Sequence, residues 1–217
     1  MSLVLSKVSA IGPWGSRLEE VELTLPSGAI TAIVGPGGSG KTLLLDVLGG
    51  ATTIHQGEIA CTGESDPRIV YQSVAPLLAS GDTVEKFFAE HGLTVPDAFG
   101  LKELATLTVE SLPARYRRAL WLVVAISRPA EVYLFDEPTL GFDSSYRQSF
   151  VDLLRPLVDG GAAIAIATID LQLAALVADY AIFLCDGKIV KKGSLEELSQ
   201  DLEGQLFEQL WRLHCTE

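Results

Sequence analysis

Gly35, Pro36, Gly37, Gly38, Ser39, Gly40, Lys41 and Thr42 fit the pattern G-x-x-x-x-G-K-[ST] at every fixed position. Each residue type has a physical reason to be there. Glycines let a backbone wrap tightly around a phosphate chain, so that several N–H groups point inward. A helix that starts near Gly40 adds the positive end of its dipole, which favours an anion. Lys41 is placed to reach the β- and γ-phosphates, and Thr42 to offer its hydroxyl to Mg2+. Farther along, the apolar run Val132–Phe135 ends in Asp136 and Glu137. A buried strand that delivers an acid beside a phosphate loop suits Asp136 to Mg2+, directly or through water. Glu137 is placed to polarise an attacking water as general base. Together these residues call for nucleotide binding.

The groups work only if secondary structure brings them together. Short runs, apolar at nearly every residue, occur at Ala29–Val34, Arg68–Tyr71, Val132–Phe135 and Ala162–Ala167. Such runs fit strands buried on both faces of a parallel sheet. Longer segments read as helices: Lys41–Leu48, Ala114–Ile126, Ser144–Val158 and Leu171–Val177. The alternation predicts an α/β layered fold, with Gly35–Thr42 in the strand–loop–helix setting that a phosphate loop requires. Leu18–Leu25 alternates at Val21, Leu23 and Leu25, and Gly57–Cys61 is similar, so an antiparallel β-layer is expected beside the parallel core. Asp186 and Gly187, between Ala181–Cys185 and Lys188–Lys191, predict a hairpin. Ser194 and Glu197 form a capping-box pair. They open an amphipathic terminal helix with Leu195, Leu198, Leu202, Leu206, Leu210 and Leu213 on one stripe. Ser73–Leu112 shows no clear strand; within it Thr83–Glu90 reads as helix and Gly92–Gly100 as loop. The expected organisation is a single domain over residues 1–217, with a short helical insert over about 73–127.

Composition narrows the classes. With 217 residues, 48% apolar and 20% charged, the chain is globular and long enough for one substantial domain. A net charge of −12 argues against a general nucleic-acid binder, which needs a positive surface. Cys61, Cys185 and Cys215 are scattered without C-x-x-C spacing, so reduced thiols and no His/Cys metal site are expected. Residues 1–10 lack the basic start and apolar run of a secretory signal. The longest apolar stretch, Gly160–Leu184, is interrupted by Asp170 and Asp179, charges that are costly in lipid. It is expected in a core, in a cytoplasmic protein whose membrane link runs through a partner.

Asp136-Glu-Pro-Thr139 after an apolar run, downstream of a phosphate loop, resembles the ATP-binding subunit of ABC transporters. The resemblance extends over nearly the whole chain. It implies a P-loop NTPase core of RecA-like type, with a mainly parallel sheet, a flanking antiparallel β-layer and a short helical insert, and it implies ATP and Mg2+ as ligands. Gln72 matches the glutamine loop that reaches the metal and the attacking water and joins the helical insert. Leu140-Gly-Phe-Asp143 resembles a turn whose aspartate Asp143 matches, beside the nucleotide. Trp14 falls where an aromatic stacks on adenine; a core tryptophan at a solvent edge is the alternative. The resemblance also implies a head-to-tail homo- or heterodimer, with ATP between the P-loop of one domain and an L-S-G-G-Q signature of the other. Transmembrane partner subunits dock on the helical lobe of such domains, which implies a peripheral place at the inner face of the membrane.

Two features of that family are missing. Counting back from Asp136, the signature falls at Ser111-Leu-Pro-Ala-Arg115, which has no glycine, and Pro113 donates no N–H. Arg118 matches the arginine that follows the signature. After Ala162–Ala167 the chain reads Thr168-Ile169-Asp170 where a threonine–histidine–aspartate is usual, and the Ile169 side chain neither donates nor accepts. Losing one preorganised donor typically costs about 10²–10³ in rate. Arg115, Arg117 and Arg118 lie in the first turns of the helix after Pro113, where cations oppose the dipole. Either one of them replaces the signature contact in trans, or they form a solvated basic edge or a docking surface. The expected function is an ATPase subunit that binds MgATP at a dimer interface and hydrolyses it slowly to drive transport. The alternative is an ATP-sensing or regulatory protein of the same type with little or no hydrolysis. A small-molecule kinase would leave the D-E-P-T segment, Gln72 and the late hairpin without a role.

Overall fold

The computed structural model describes residues 2–63, 65–73 and 81–200, without the side chains of residues 14, 144, 145, 199 and 200. The apolar stripe at Leu202, Leu206, Leu210 and Leu213, together with Cys215 and the Trp14 side chain, lies outside the described part. In chain order the first half contains β1 (Leu3–Ile11), β2 (Arg17–Leu25), β3 (Ala29–Val34), α1 (Lys41–Leu48), β4 (Gln56–Cys61), β5 (Ile69–Gln72) and α2 (Val84–Glu90). The second half contains α3 (Ala114–Ser127), β6 (Val132–Asp136), α4 (Ser144–Asp159), β7 (Ala163–Thr168), α5 (Leu171–Val177), β8 (Tyr180–Cys185), β9 (Lys188–Ser194) and α6 (Leu195–Gln200).

β3, β6 and β7 are buried at every position. Strands apolar on both faces have no solvated side to turn outward, so they take the centre of a sheet. The sheet order is β5-β6-β7-β3-β8-β9; the first five strands are parallel and β9 is antiparallel to β8. Helix α1 covers one face, with Leu44, Leu45 and Leu48 against Leu134 and Ala165. Helices α2, α3 and α4 cover the other, where Phe88, Leu120 and Phe150 meet Tyr133, Phe135 and Ile166. The antiparallel layer β2-β1-β4 packs on the α1 side through Leu5, Val8 and Leu18.

Strand Ala29–Val34 and helices Lys41–Leu48 and Leu171–Val177 fall where the sequence places them. β5 runs one residue later than the apolar run Arg68–Tyr71, because the Arg68 N–H donates to the Glu131 carboxylate at 2.7 Å. Gln72 is thereby a strand residue. β7 is likewise displaced by one, because the Ala162 N–H closes the preceding turn onto Leu157 O at 3.0 Å. β1 has no counterpart in the sequence reading. Its buried positions, Leu3, Leu5, Val8 and Ala10, change phase where Lys7 (φ 49°) forms a bulge.

The stretch read without a strand carries an isolated bridge, Thr83 to Thr108, and 3₁₀ turns at Ala98–Gly100, Lys102–Leu104 and Val109–Ser111. Thr83 caps α2 by accepting from Lys86 N at 3.3 Å. At β9, Glu197 Oε2 accepts from Ser194 N at 3.0 Å and Ser194 Oγ from Glu197 N at 3.1 Å, the reciprocal bonds of a capping box. Asp186 (φ 44°) and Gly187 (φ 78°) make the expected hairpin between β8 and β9. Among the described residues no helix is long and apolar enough to cross a membrane.

Candidate functional site

β3 delivers the chain into Gly35, and the loop ends at Gly40 (φ 102°), the residue that precedes α1. A Cβ at position 35 would stand 2.1 Å from Leu184 O, so only glycine fits there. Lys41 is buried, and its Nζ donates to Gly35 O at 2.8 Å and Pro36 O at 3.0 Å, which folds the ammonium back over the loop. Ser39 Oγ is buried without a protein hydrogen-bond partner among the described residues. The Gly187 N–H clamps the loop from the hairpin side by donating to Ser39 O at 3.0 Å. A cleft of about 500 Å3 opens beside the loop, between Pro13, Gly15 and Ser16 on one side and Gly38, Lys41 and Thr42 on the other. The 3₁₀ turn that carries Trp14 therefore forms part of the wall.

Asp136 ends β6 at 1% exposure, and Thr42 Oγ1 donates to its Oδ2 at 2.8 Å. Burial pushes the Asp136 carboxyl above its ordinary range, and the Thr42 hydrogen bond and the Lys41 charge oppose this. Parallel pairing of β6 with β7 sets Asp136 beside Ala167. The next residue, Glu137, turns out of the strand at φ 45° while its N–H donates to Ala167 O at 2.8 Å. Its Oε2 accepts from Thr168 Oγ1 at 3.1 Å and from Ile169 N at 3.3 Å. Burial raises the Glu137 pKa as well, against the Ile169 N–H, the Lys41 charge and the Thr168 hydroxyl. Gln72 is 4% exposed, its Nε2 donates to Ser73 O at 2.8 Å, and its buried Oε1 has no protein partner among the described residues. Thr42, Asp136 and Gln72 thus offer oxygen donors at one end of the sheet, the ligand type that hard divalent cations take.

The remaining residues singled out in the sequence go to other places. Asp143 caps α4, its Oδ1 accepting from Tyr146 N at 3.1 Å. Ser111 Oγ donates to Thr108 O at 2.7 Å, within its own turn. Leu112 is a core residue at 3% exposure. The arginines after Pro113 diverge. Arg115 lies over the Tyr116 ring with Cζ 4.8 Å from its centroid. Arg117 donates to Glu110 O at 3.3 Å. Arg118 turns inward and donates to Leu140 O, in the turn that follows Glu137. The sequence reading missed Thr168 as a partner of Glu137, and it missed Asp46, which accepts from Tyr71 Oη at 2.9 Å beside the cleft.

Comparison with known proteins fits this geometry. The model of a family described as ABC transporter matches residues 18–140. The ATP-binding protein MlaF of the intermembrane phospholipid transport system of Escherichia coli is 32% identical over 83% of this chain and 77% of its own. The iron(3+)-hydroxamate import ATP-binding protein FhuC of Bacillus subtilis is 26% identical over 90% of this chain and 84% of its own. A solved ATP-binding subunit of an ABC transporter superposes with a TM-score of 0.82 at 20% identity, over 98% of this chain and 99% of that one. With more than half its length matched by the family model, the chain belongs to the ABC transporter family, as an ATP-binding subunit and an ATPase.

Proposed function

We propose that this subunit binds MgATP between the Gly35–Thr42 loop of one copy and a second ATP-binding domain, and hydrolyses it slowly to drive transport through transmembrane partners. The observation that carries this reading is the paired placement of Asp136 on Thr42 and of Glu137 on Thr168 and Ile169. The loop amides and Lys41 hold the phosphates. Thr42, Asp136 and Gln72 would hold Mg2+, which when bound would supply positive charge against the phosphate chain. Glu137 takes the proton of the attacking water, and the wall turn with Trp14 and the Asp143 turn complete the nucleotide site. Residues 1–217 act as one domain with a helical lobe over about 73–127, a reading supported by the cluster in which Phe88 and Leu120 of that lobe pack with Phe135 of the sheet. Docked through that lobe, the chain sits at the cytoplasmic face of a membrane.

Slow turnover follows from what the site lacks. Ile169 brings only its backbone N–H to Glu137. In the segment in place of the signature, Leu112 is in the core and the Ser111 hydroxyl is bound to Thr108 O. MgATP hydrolysis by the purified chain, measured over a protein concentration series, tests the reading. Turnover rising with protein concentration is expected, with a loss of about 100-fold or more in Glu137→Gln and ATP binding retained. A Glu137→Gln variant as fast as the wild type would remove Glu137 as the base.

A further inference from the structure

Helix α1 is tied to the sheet by two rungs. Thr42 Oγ1 donates to Asp136 Oδ2 at 2.8 Å, and one turn later Asp46 Oδ1 accepts from Tyr71 Oη at 2.9 Å. Residues four apart on a helix share a side, with Cβ atoms about 5–6 Å apart. On the sheet, Tyr71 pairs in register with Leu134, two residues before Asp136 along β6. Strand alternation therefore puts Tyr71 and Asp136 on the same face, the one α1 covers. Thr42 and Asp46 both line the cleft beside the phosphate loop. Among the described residues no protein group bonds Asp46 Oδ2. At the same end of the sheet, Gln72 keeps a buried Oε1 without a protein partner.

Two carboxylates this close repel. Tyr71 holds one oxygen of Asp46 and fixes the direction of the other. A divalent cation at Thr42 and Asp136 would turn the repulsion into attraction. Mg2+ dehydrates reluctantly and keeps several waters, which seek acceptors around the site.

We propose that Asp46, oriented by Tyr71, is an additional carboxylate of the Mg2+ site and accepts hydrogen bonds from the cation's water shell. The proposal rests on the MgATP reading above. It predicts a metal effect separable from nucleotide binding. Mn2+ serves as the probe, with binding read from the paramagnetic resonance of the free ion and protein in excess over ADP. Asp46→Asn keeps the shape and the Tyr71 bond, and it is expected to weaken Mn2+ by about 10–100-fold, the effect typical of outer-shell groups. ADP affinity in EDTA is expected to stay as in the wild type. Tyr71→Phe keeps the charge and is expected to retain most of the Mn2+ affinity. Wild-type Mn2+ affinity in Asp46→Asn overturns the proposal. So does an equal loss in Tyr71→Phe, which would make the pair a tie between β5 and α1 and nothing more. If the wild type binds no ADP in EDTA or with Mn2+, the nucleotide reading itself falls.

Discussion

Glu137 is useful as a base only if its carboxylate points where water can be attacked. Two donors from the end of β7 set that direction, the Thr168 hydroxyl and the Ile169 N–H. Thr168 is 1% exposed and also accepts from Asp170 N at 2.9 Å, so its hydroxyl is locked between two partners. Thr168→Val keeps the volume and removes both bonds. A hydrogen bond to a charged group is worth about 1.5–3 kcal/mol, so a fall of about 10–100-fold in kcat with ATP affinity retained is expected from steady-state hydrolysis. An unchanged kcat would show that Ile169 N–H orients Glu137 alone. The Ile169 side chain is 49% exposed. Ile169→His would therefore fit without repacking and add a donor beside Glu137. A rise in kcat of about tenfold or more is expected, since one preorganised donor is typically worth about 10²–10³. No rise would place the slow step elsewhere.

At the scale of elements, the start of β5 is fixed by a surface pair that the backbone uses. Glu131 accepts from Arg68 N at 2.7 Å, from Arg68 Nε at 3.2 Å and from Arg68 Nη2 at 2.6 Å. These bonds draw the Glu131 pKa down from 4.5 to about 2. The folded-state pKa is depressed, so the contribution is present above pH 4.5 and is lost as pH falls toward about 2. Glu131→Gln is expected to abolish that part of the pH dependence, read from urea midpoints across this window. Equal slopes in both proteins would show that the pair is solvated out of effect, as many exposed pairs are. β3, β6 and β7 were legible because their residues are apolar on both faces, β2 and β4 by their alternation, and β8 and β9 by the Asp186-Gly187 turn between them. β1 was not legible because the Lys7 bulge breaks the period on which strand reading depends.

Across the whole molecule, what the sequence held about the site divides by distance along the chain. The phosphate loop is local, and its glycines, lysine and threonine announce their geometry. Asp136 and Glu137 could be read because an apolar strand leads into them. The partners of Glu137 could not. They depend on the register of β6 against β7, Asp136 opposite Ala167, which packing decides. The Tyr71–Asp46 bond is equally hidden, since it joins β5 to α1 across the sheet face. The segment Ser111–Arg115 was legible as a departure. Its arginines could not be separated by sequence alone, because their different directions come from Tyr116, Glu110 and Leu140.

The clamp between the late hairpin and the phosphate loop has a consequence for how occupancy of the site is felt elsewhere. Gly187 N donates to Ser39 O, and Gly187 O accepts from Glu19 N at 2.9 Å. One residue thus couples the loop to β2 and the antiparallel layer. A Cβ at Gly187 would lie 2.2 Å from Arg17 O, so the close approach of hairpin and β2 requires glycine there. A ligand that stills the loop stills this amide with it. The Gly187 N–H is then a built-in spectroscopic tag on the back of the phosphate loop. Its hydrogen–deuterium exchange is expected to slow when ATP binds and to recover on release, while amides in β4 keep their rate. A Gly187 amide indifferent to nucleotide would mean that the layer and the loop breathe independently.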